Sequence, residues 1–280
     1  MFEQNTHITG EEIVGRATKS RSIIVCADDF GINPAVDDGI LSLAALNRLS
    51  VVSCMSLGAS FAHHAEALRA SRVGMGLHLD LTEMPSGMKL SALITRAYAD
   101  ALDAAWVDER IARQLDAYEN ICGAAPAYVD GHQHVHQLPT VLPRLLRALD
   151  KRYLRRPWLR CTLPAPGQRM GFSDTFKAHV IGILGGNALR VAAREHGWRC
   201  NRNLLGVYGL RGGAWHYADL LQRWFAAARH GDLLMCHPAA PVGNDDPWQR
   251  QRAAEREVWA GSEVEEWLRS HDLKIARMGA

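Results

Sequence analysis

VCADDFGINP, residues 25–34, places two adjacent carboxylates, Asp28 and Asp29, at the point where an apolar run ends and a turn begins. Like charges repel each other, and each carboxylate costs free energy when it leaves water. An acidic pair at the end of a buried strand therefore indicates a functional role. Since neighbouring strand residues point to opposite faces, the two can serve one site only if the backbone turns between them, and Phe30-Gly31 is the expected turn.

Short apolar runs alternate with longer amphipathic segments along the whole chain. We predict seven strands, at 22–26, 51–57, 73–81, 127–134, 157–163, 203–207 and 232–238. Helical patterns lie near 34–47, 61–71, 107–122, 138–150, 174–196 and 215–229, and the segments 82–106 and 163–174 are predicted to be long loops. Strands that alternate with helices form parallel sheets with right-handed crossovers, so we expect a doubly wound sheet or an α/β barrel.

Composition and charge exclude several classes of protein. With 48% apolar residues over 280 positions, the chain can bury a large core, and we expect one domain at 21–280 after a flexible lead-in at 1–20. A formal net charge of +2 gives no polybasic field for nucleic acid, and no segment is apolar enough to span a membrane. The six cysteines are far apart without a CxxC pair, which predicts a reduced, cytoplasmic protein. A homodimer is left open.

Polar side chains interrupt the predicted strands near their carboxyl ends. They are Asp28 and Asp29 after the first strand, His78 in the third, His132, His134 and His136 in the fourth, Arg160 in the fifth and His237 in the last. In an α/β barrel the carboxyl ends of the strands converge on the catalytic face. Carboxylates and imidazoles can share this mouth when a divalent cation lies among them, because the cation favours ionised Asp and neutral His.

The residue types narrow the identity of this cation. One Asp with two His and open water positions suits a catalytic divalent ion such as zinc, magnesium or manganese, whereas a structural zinc site needs four protein ligands. The Asp that does not bind the ion can act as general base toward a water whose pKa the ion has lowered. His132, His134 and His136 would share one face of an extended strand, and one ion cannot bind all three with good geometry.

Four segments together resemble the motifs of the YdjC-type carbohydrate deacetylases, which include chitooligosaccharide deacetylases and hopanoid-associated relatives. The segments are VCADDFGINPAVDDGI (25–40), GLHLDLT (76–82), YVDGHQHVHQLP (128–139) and MCHPA (235–239). Their order and combination are specific, although each one alone is a weak signal. The resemblance spans about residues 22–240 and implies a distorted (β/α) barrel of about seven parallel strands, similar to polysaccharide deacetylases.

The resemblance also implies a set of site residues. The implied ligands of one divalent ion, Mg or Zn, are Asp29, His78 and His132. Asp28 would be the general base, His237 the general acid that protonates the leaving amine, and Arg160 a residue that orients Asp28. The implied reaction removes an acetyl group from an N-acetylated amino sugar or oligosaccharide.

Two other functions stay open at this point. One is a metal-dependent hydrolase that acts on another amide, an ester or a phosphoester. The other is a barrel that binds a sugar without turnover, which would need neither Asp28 nor His237.

Overall fold

The computed structural model of the protein describes residues 20–83, 87–168, 171–242 and 248–277. The lead-in expected at 1–20 lies, apart from residue 20, outside the described residues. The strands are β1 (Arg21–Phe30), β2 (Val51–Cys54), β3 (Gly74–Leu79), β4 (Tyr128–Gly131), β5 (Trp158–Leu159), β6 (Leu204–Leu205), β7 (Leu233–Cys236) and β8 (Leu273–Ile275).

The helices follow the strands and cover the sheet. They are α1 (Pro34–Ala45), α2 (Phe61–Ala70), α3 (Leu90–Tyr98), α4 (Ala104–Cys122), α5 (Val141–Arg152), α6 (Phe172–Ile181), α7 (Asn187–Glu195), α8 (Gly213–Ala227), α9 (Gln249–Ala260) and α10 (Glu263–Ser270). A 3₁₀ helix (His132–Gln137) follows β4, and a π-helical turn (Gly182–Gly186) joins α6 to α7. No helix in the described part of the chain combines the length and apolar character that a membrane crossing needs.

Seven strands form a parallel half-barrel in the order β5-β4-β3-β2-β1-β7-β6. β8 pairs in parallel with the first residues of β1. Single bridges join Leu159 to Cys200 and Pro164 to Leu204, so the chain after β5 approaches the β6 edge across the opening of the half-barrel. This architecture confirms the expected distorted α/β barrel of about seven parallel strands.

β1 lies at the centre of the sheet and is buried from Ile23 to Phe30. A continuous apolar run is typical of a parallel strand that is covered on both faces. Alternate residues of β1 join the main helix-covered core and a smaller cluster on the opposite face, which includes Ile24, Cys26 and Tyr128.

The parallel register brings the carboxyl ends of four strands to one edge of the barrel. Ala27 of β1 pairs with Cys236 of β7, and Leu79 of β3 pairs with Gly131 of β4. The carboxyl ends of β1, β4 and β7 therefore lie at similar levels. They carry the acidic pair inside β1, the DGHQHVH segment that begins in β4, and His237 directly after β7.

Several predicted boundaries are wrong. The segment 82–106 contains α3 and the start of α4, because its apolar residues repeat with helical spacing despite the flanking Gly and Ser. The fourth strand stops at Gly131, and the fifth and sixth strands have two residues each. The long helix predicted at 174–196 is interrupted at Gly185, which has a φ of +115° and lies against the Gln137 carbonyl, where a side chain would not fit.

Candidate active site

β1 ends in the acidic pair, and its backbone turns at Asp29 itself. Asp29 has a φ of +71°, an uncommon conformation for a residue other than glycine, and the β1–β2 register shifts between Ala27 and Phe30. Asp28 and Asp29 consequently line the same cavity but contact different partners. The sequence predicted this turn later, at Phe30-Gly31, because Gly adopts positive φ most easily; Gly31 does so as well, at +97°.

One carboxylate oxygen of Asp29 lies close to two imidazole rings. Its Oδ1 lies 2.9 Å from His132 Nδ1 and 3.3 Å from His78 Nε2. One ligand atom from each of these three residues lies within 4.8 Å of the others. The second oxygen, Oδ2, accepts a hydrogen bond from Arg252 Nη2 at 2.7 Å, which fixes the carboxylate. One carboxylate and two imidazoles are a donor set that can hold a catalytic divalent metal.

Asp130 orients His78 from the side opposite Asp29. Its Oδ1 lies 2.6 Å from His78 Nδ1 and accepts a hydrogen bond from the Ser53 hydroxyl at 2.7 Å. Burial alone would lower the pKa of His78, but the adjacent Asp130 and Asp29 carboxylates raise this pKa to about 10. A carboxylate that accepts the Nδ1 proton of a histidine fixes the ring so that Nε2 can bind a cation.

Asp28 is held by Arg160. The guanidinium Nη1 and Nη2 each donate a hydrogen bond of 2.6 Å to one oxygen of Asp28, and Nη2 also lies 2.5 Å from Asp130 Oδ2. Nε donates to the Tyr128 hydroxyl at 2.7 Å. Burial alone would raise the pKa of Asp28, but Arg160 holds it well below its usual range. One buried guanidinium thus compensates two buried carboxylates and fixes the orientation of Asp28.

His237 follows β7 and faces Asp28. Its Nε2 lies 3.9 Å from Asp28 Oδ2, which is too long for a hydrogen bond and leaves the imidazole directed toward the cavity. The backbone N–H of His237 donates to Glu255 Oε2 at 2.7 Å, and the Tyr208 hydroxyl donates to Glu255 Oε1 at 2.5 Å. Burial raises the pKa of the Glu255 carboxyl, and the hydrogen bonds from the His237 N–H and the Tyr208 hydroxyl oppose part of this shift.

The other two histidines of DGHQHVH have separate surroundings. The chain after β4 forms a 3₁₀ helix in which Gln133 and His134 have positive φ, of 52° and 62°. His134 lines the cavity, whereas His136 is buried and its Nε2–H donates to the Arg160 carbonyl oxygen at 2.9 Å. The prediction that 132, 134 and 136 share one face is wrong, because that alternation requires an extended strand.

The cavity over these residues has a volume of about 620 Å³. Its polar side is formed by Asp28, Asp29, His78, His132, His134 and His237. Apolar side chains from α3, α6 and the strand ends form the remaining wall, and Trp248 lies half-exposed at its edge. A volume of this size, with few polar groups on one side, is typical of small-molecule sites.

Three charged residues of this site were not predicted. Asp130 lies inside the YVDGHQH segment, and its position beside the expected ligand could have identified it. Arg252 and Glu255 lie on α9, and their separation of three residues places both on one face of the helix, toward the cavity edge. This helix follows the last predicted strand, so neither residue interrupts a strand end.

The chain is similar to one protein family and to several curated proteins. A family model described as YdjC-like protein matches residues 22–270. A carbohydrate deacetylase of Homo sapiens is 33% identical over 171 residues, which cover 52% of this chain and 53% of that protein. A chitooligosaccharide deacetylase of Serratia marcescens is 32% identical over 134 residues, which cover 43% of this chain and 53% of that protein. The chain thus spans about half the length of the curated relatives that it matches.

A solved structure shares the fold over nearly the whole chain. It is a protein of Enterococcus faecalis V583 to which cellobiose-phosphate cleavage has been provisionally ascribed, with a TM-score of 0.66 and 20% identity, and the match covers 92% of this chain and 98% of that one. At this identity the likeness supports the fold alone. The family match extends from β1 to the end of α10 and includes all four sequence motifs, and the chain therefore belongs to the YdjC-like protein family.

Proposed function

We propose that this protein is a metal-dependent hydrolase that removes an acetyl group from an N-acetylated amino sugar or oligosaccharide. The observation that carries the proposal is that three kinds of group line one cavity. They are a triad of residues that can bind a metal (Asp29, His78 and His132), a carboxylate held by arginine (Asp28) and an imidazole (His237). The deacetylase names of the human and Serratia relatives support the class of substrate.

The triad fits a divalent cation such as Mg²⁺ or Zn²⁺. His78 directs Nδ1 to Asp130 and so turns Nε2 toward Asp29 Oδ1, and His132 turns Nδ1 toward the same oxygen. Lone pairs that converge in this way repel each other unless a proton or a cation lies among them. A divalent ion bound there would lower the pKa of a water molecule and polarise the amide carbonyl.

The surroundings of the acidic pair support Asp29 as ligand and Asp28 as general base. Both oxygens of Asp28 are engaged by Arg160, whereas Oδ1 of Asp29 faces the two imidazoles. Because Arg160 lowers the pKa of Asp28, this carboxylate is ionised at neutral pH. A low pKa also makes it a weak base, so it can accept a proton only from a water that has itself become acidic.

His237 is in a position to protonate the leaving nitrogen. Its imidazole contributes to the cavity wall beside Asp28, and Glu255 holds its backbone in place. An amine cannot depart as its anion because the anion is far too basic. A proton acceptor and a proton donor on one cavity are what amide hydrolysis requires, whereas a barrel that only binds sugar needs neither.

Metal analysis combined with an acetate-release assay tests this function. Asp29→Ala, His78→Ala and His132→Ala should each lose bound metal and turnover on N-acetylglucosamine oligosaccharides while the fold is retained, since each removes one donor. His63→Ala, an exposed histidine of α2, is the matched control and should keep both properties. Asp28→Asn should keep the metal and lose turnover, which separates the base from the ligands.

Other outcomes would reject parts of the proposal. Stoichiometric metal in all three triad variants would show that the ligands lie elsewhere. Wild-type protein that releases no acetate but cleaves another ester or a phosphoester in a metal-dependent way would assign it to a different hydrolase class.

A further inference from the structure

A second cavity, with a volume of about 600 Å³, opens at the amino-terminal ends of the strands. Its lining comes from the start of β1 (Ser22 and Ile24), the start of β5 (Pro157 and Trp158) and the segments before β6 and β7 (Arg202 and Gly231). We call it the basal cavity. It lies at the barrel end opposite Asp28 and shares no lining residue with the candidate active site.

Arginine dominates the lining of the basal cavity. Its cationic or titratable residues are Arg155, Arg156, Arg199, Arg202, Arg277 and His230, and no Asp or Glu is among its described lining residues. The chain as a whole carries 32 Lys and Arg against 30 Asp and Glu. The lining of the basal cavity is therefore much more basic than the chain as a whole. The net charge of +2 does not reveal this local excess of positive charge.

Most of these guanidinium groups have no acidic partner among the described residues. The charge of Arg156 is compensated by a residue outside the cavity lining, because its Nε donates a hydrogen bond to Asp150 Oδ1 at 2.7 Å. For Arg155, Arg199, Arg202 and Arg277, no ion pair with a carboxylate exists within the part of the chain that the structure describes. These four arginines are exposed, and like charges gathered on a concave surface repel each other and attract anions.

The floor of the basal cavity is apolar. Ile24 is buried, and Pro126, Pro157 and the half-buried indole of Trp158 lie beside it. The Arg199 guanidinium lies over the Trp158 ring, 5.1 Å from its centroid. The arginine side chains, which we call the rim, therefore begin where the apolar floor ends. A ligand that fits must combine an apolar or aromatic body with at least two negative charges.

We propose that the basal cavity binds a small organic phosphate with two or more negative charges and an aromatic body, such as a nucleoside diphosphate. Guanidinium groups pair with phosphate oxygens through parallel N–H donors, which lysine cannot do. The volume matches small-molecule sites, whereas a nucleic acid would be bound by an extended basic stripe rather than by a single concave depression. This site is independent of the proposed hydrolase function.

Isothermal titration of the full-length protein with ADP tests the proposal. Wild-type protein should bind ADP with a dissociation constant below about 1 mM. Loss of two charge-assisted hydrogen bonds should weaken binding on the order of 10²-fold in the Arg199→Ala/Arg202→Ala variant. Arg113→Ala, an exposed arginine on α4 outside the basal cavity, is the control and should bind like wild type. Thermal unfolding of each variant verifies that the fold is retained.

Two further ligands separate the contributions of rim and floor. Pyrophosphate should bind more weakly than ADP because it cannot use the floor, and adenosine should bind more weakly still because it lacks the charges. Adenosine that binds as tightly as ADP would overturn the role of the rim.

Binding to the metal site is the main competing explanation, since phosphates also bind divalent ions. Asp29→Ala should therefore leave the affinity for ADP unchanged. ADP binding that survives the double arginine substitution, or an affinity confined to long oligonucleotides and steeply dependent on salt, would overturn the proposal, as would the absence of any binding by the wild-type protein.

Discussion

At the scale of single residues, two neighbouring aspartates acquire different electrostatic surroundings. Asp28 pairs with Arg160 through both oxygens, whereas Asp29 faces His78 and His132. The positive φ of Asp29 makes this division possible, because an extended backbone would send the second side chain to the other face of the sheet. A strained conformation of a non-glycine residue in such a position is typical of functional sites.

The motif residues of this site were predictable from sequence, but their partners were not. Asp28, His78 and His237 could be located because each interrupts an apolar run at a strand end. The network around Asp130 could not be predicted, because its three contacts come from β2, β3 and the chain after β5, and only the tertiary fold brings them together.

The leaving group provides a test of His237. If His237 protonates the departing nitrogen, His237→Ala should lower kcat on an N-acetyl sugar by on the order of 10²-fold or more, and much less on an activated acetyl ester, whose leaving group needs little help. Steady-state kinetics on both substrates measures the difference. Equal losses on the amide and the ester would point to a positioning role instead.

Glu255 gives a prediction for stability against pH. Burial raises the pKa of Glu255 in the folded protein, so the folded state binds this proton more tightly than the unfolded state. Wild-type stability contributed by this group is therefore greatest below the ordinary carboxyl pKa and falls as the pH rises through the raised value. Since glutamine does not titrate, the free energy of unfolding of wild type minus that of Glu255→Gln should decrease as the pH rises from the ordinary carboxyl pKa through the raised one.

Urea unfolding of the metal-free protein at several pH values measures this difference. Glu257→Gln is the matched control, because Glu257 is exposed on the same helix. A wild-type minus Glu255→Gln difference that stays constant over the range would contradict the assignment of Glu255 as a buried carboxyl with a raised pKa.

At the scale of elements, the strand pattern was easier to predict than the helices that complete the site. The apolar run of β1 is long because helices cover it, so its signal is strong. β5 and β6 have two paired residues each, and the chain beside them pairs through single bridges. Pairings this short leave no periodic pattern in the sequence from which they could be predicted. α9 is mostly polar in sequence, and only its packing against the barrel reveals the roles of Arg252 and Glu255.

The packing of α1 against the chain after β7 gives a second prediction at this scale. A Cβ added at Gly39 would lie 2.5 Å from Ala239 Cα and from its carbonyl carbon, and the Ala240 N–H donates to the Ala35 carbonyl oxygen at 2.7 Å. Alanine favours helix over glycine by up to about 1 kcal/mol, whereas overpacking against backbone costs about 1–3 kcal/mol. Gly39→Ala should therefore lower the free energy of unfolding and, by shifting the chain beside His237, also lower kcat.

Chemical unfolding and turnover of Gly39→Ala test this contact. Gly171→Ala is the control, because a Cβ at Gly171 meets no atom of the described residues within 4 Å. Gly171 is the N-cap of α6, so the change should affect stability only through the weaker capping by alanine and should leave kcat at the wild-type value. A Gly39→Ala variant more stable than wild type would mean that helix propensity outweighs the contact and that α1 has room to move.

At the scale of the whole molecule, buried charge connects four strands. Asp28 from β1 and Asp130 from β4 pair with Arg160, which follows β5, and Asp130 also contacts His78 from β3. Arg160 is fully buried, so it contributes no contact with solvent and acts entirely within this network. The barrel and the candidate site are consequently not separable, because the same ion pairs hold the strand ends together and orient the groups that face the cavity.

This coupling predicts a large effect for Arg160→Leu. The substitution leaves the Asp28 and Asp130 carboxylates buried without their cation, and breaking a buried ion pair from one side costs about 3–5 kcal/mol. The loss should be measured by urea unfolding of metal-free protein. Arg223→Leu removes an arginine that pairs with Asp219 at 2.9 Å on the surface, where such pairs contribute about 0–1 kcal/mol, and it serves as the matched control.

A double variant identifies the cause of that loss. If uncompensated charge dominates, adding Asp28→Asn to Arg160→Leu removes one of the two orphaned carboxylates and should recover part of the stability, so that the two substitutions are strongly non-additive. If the loss came from packing alone, the second substitution would destabilise the protein further. Additive effects of the two changes would therefore contradict the view that Arg160 stabilises the barrel through its charge, and would reduce its role to filling space between the strands.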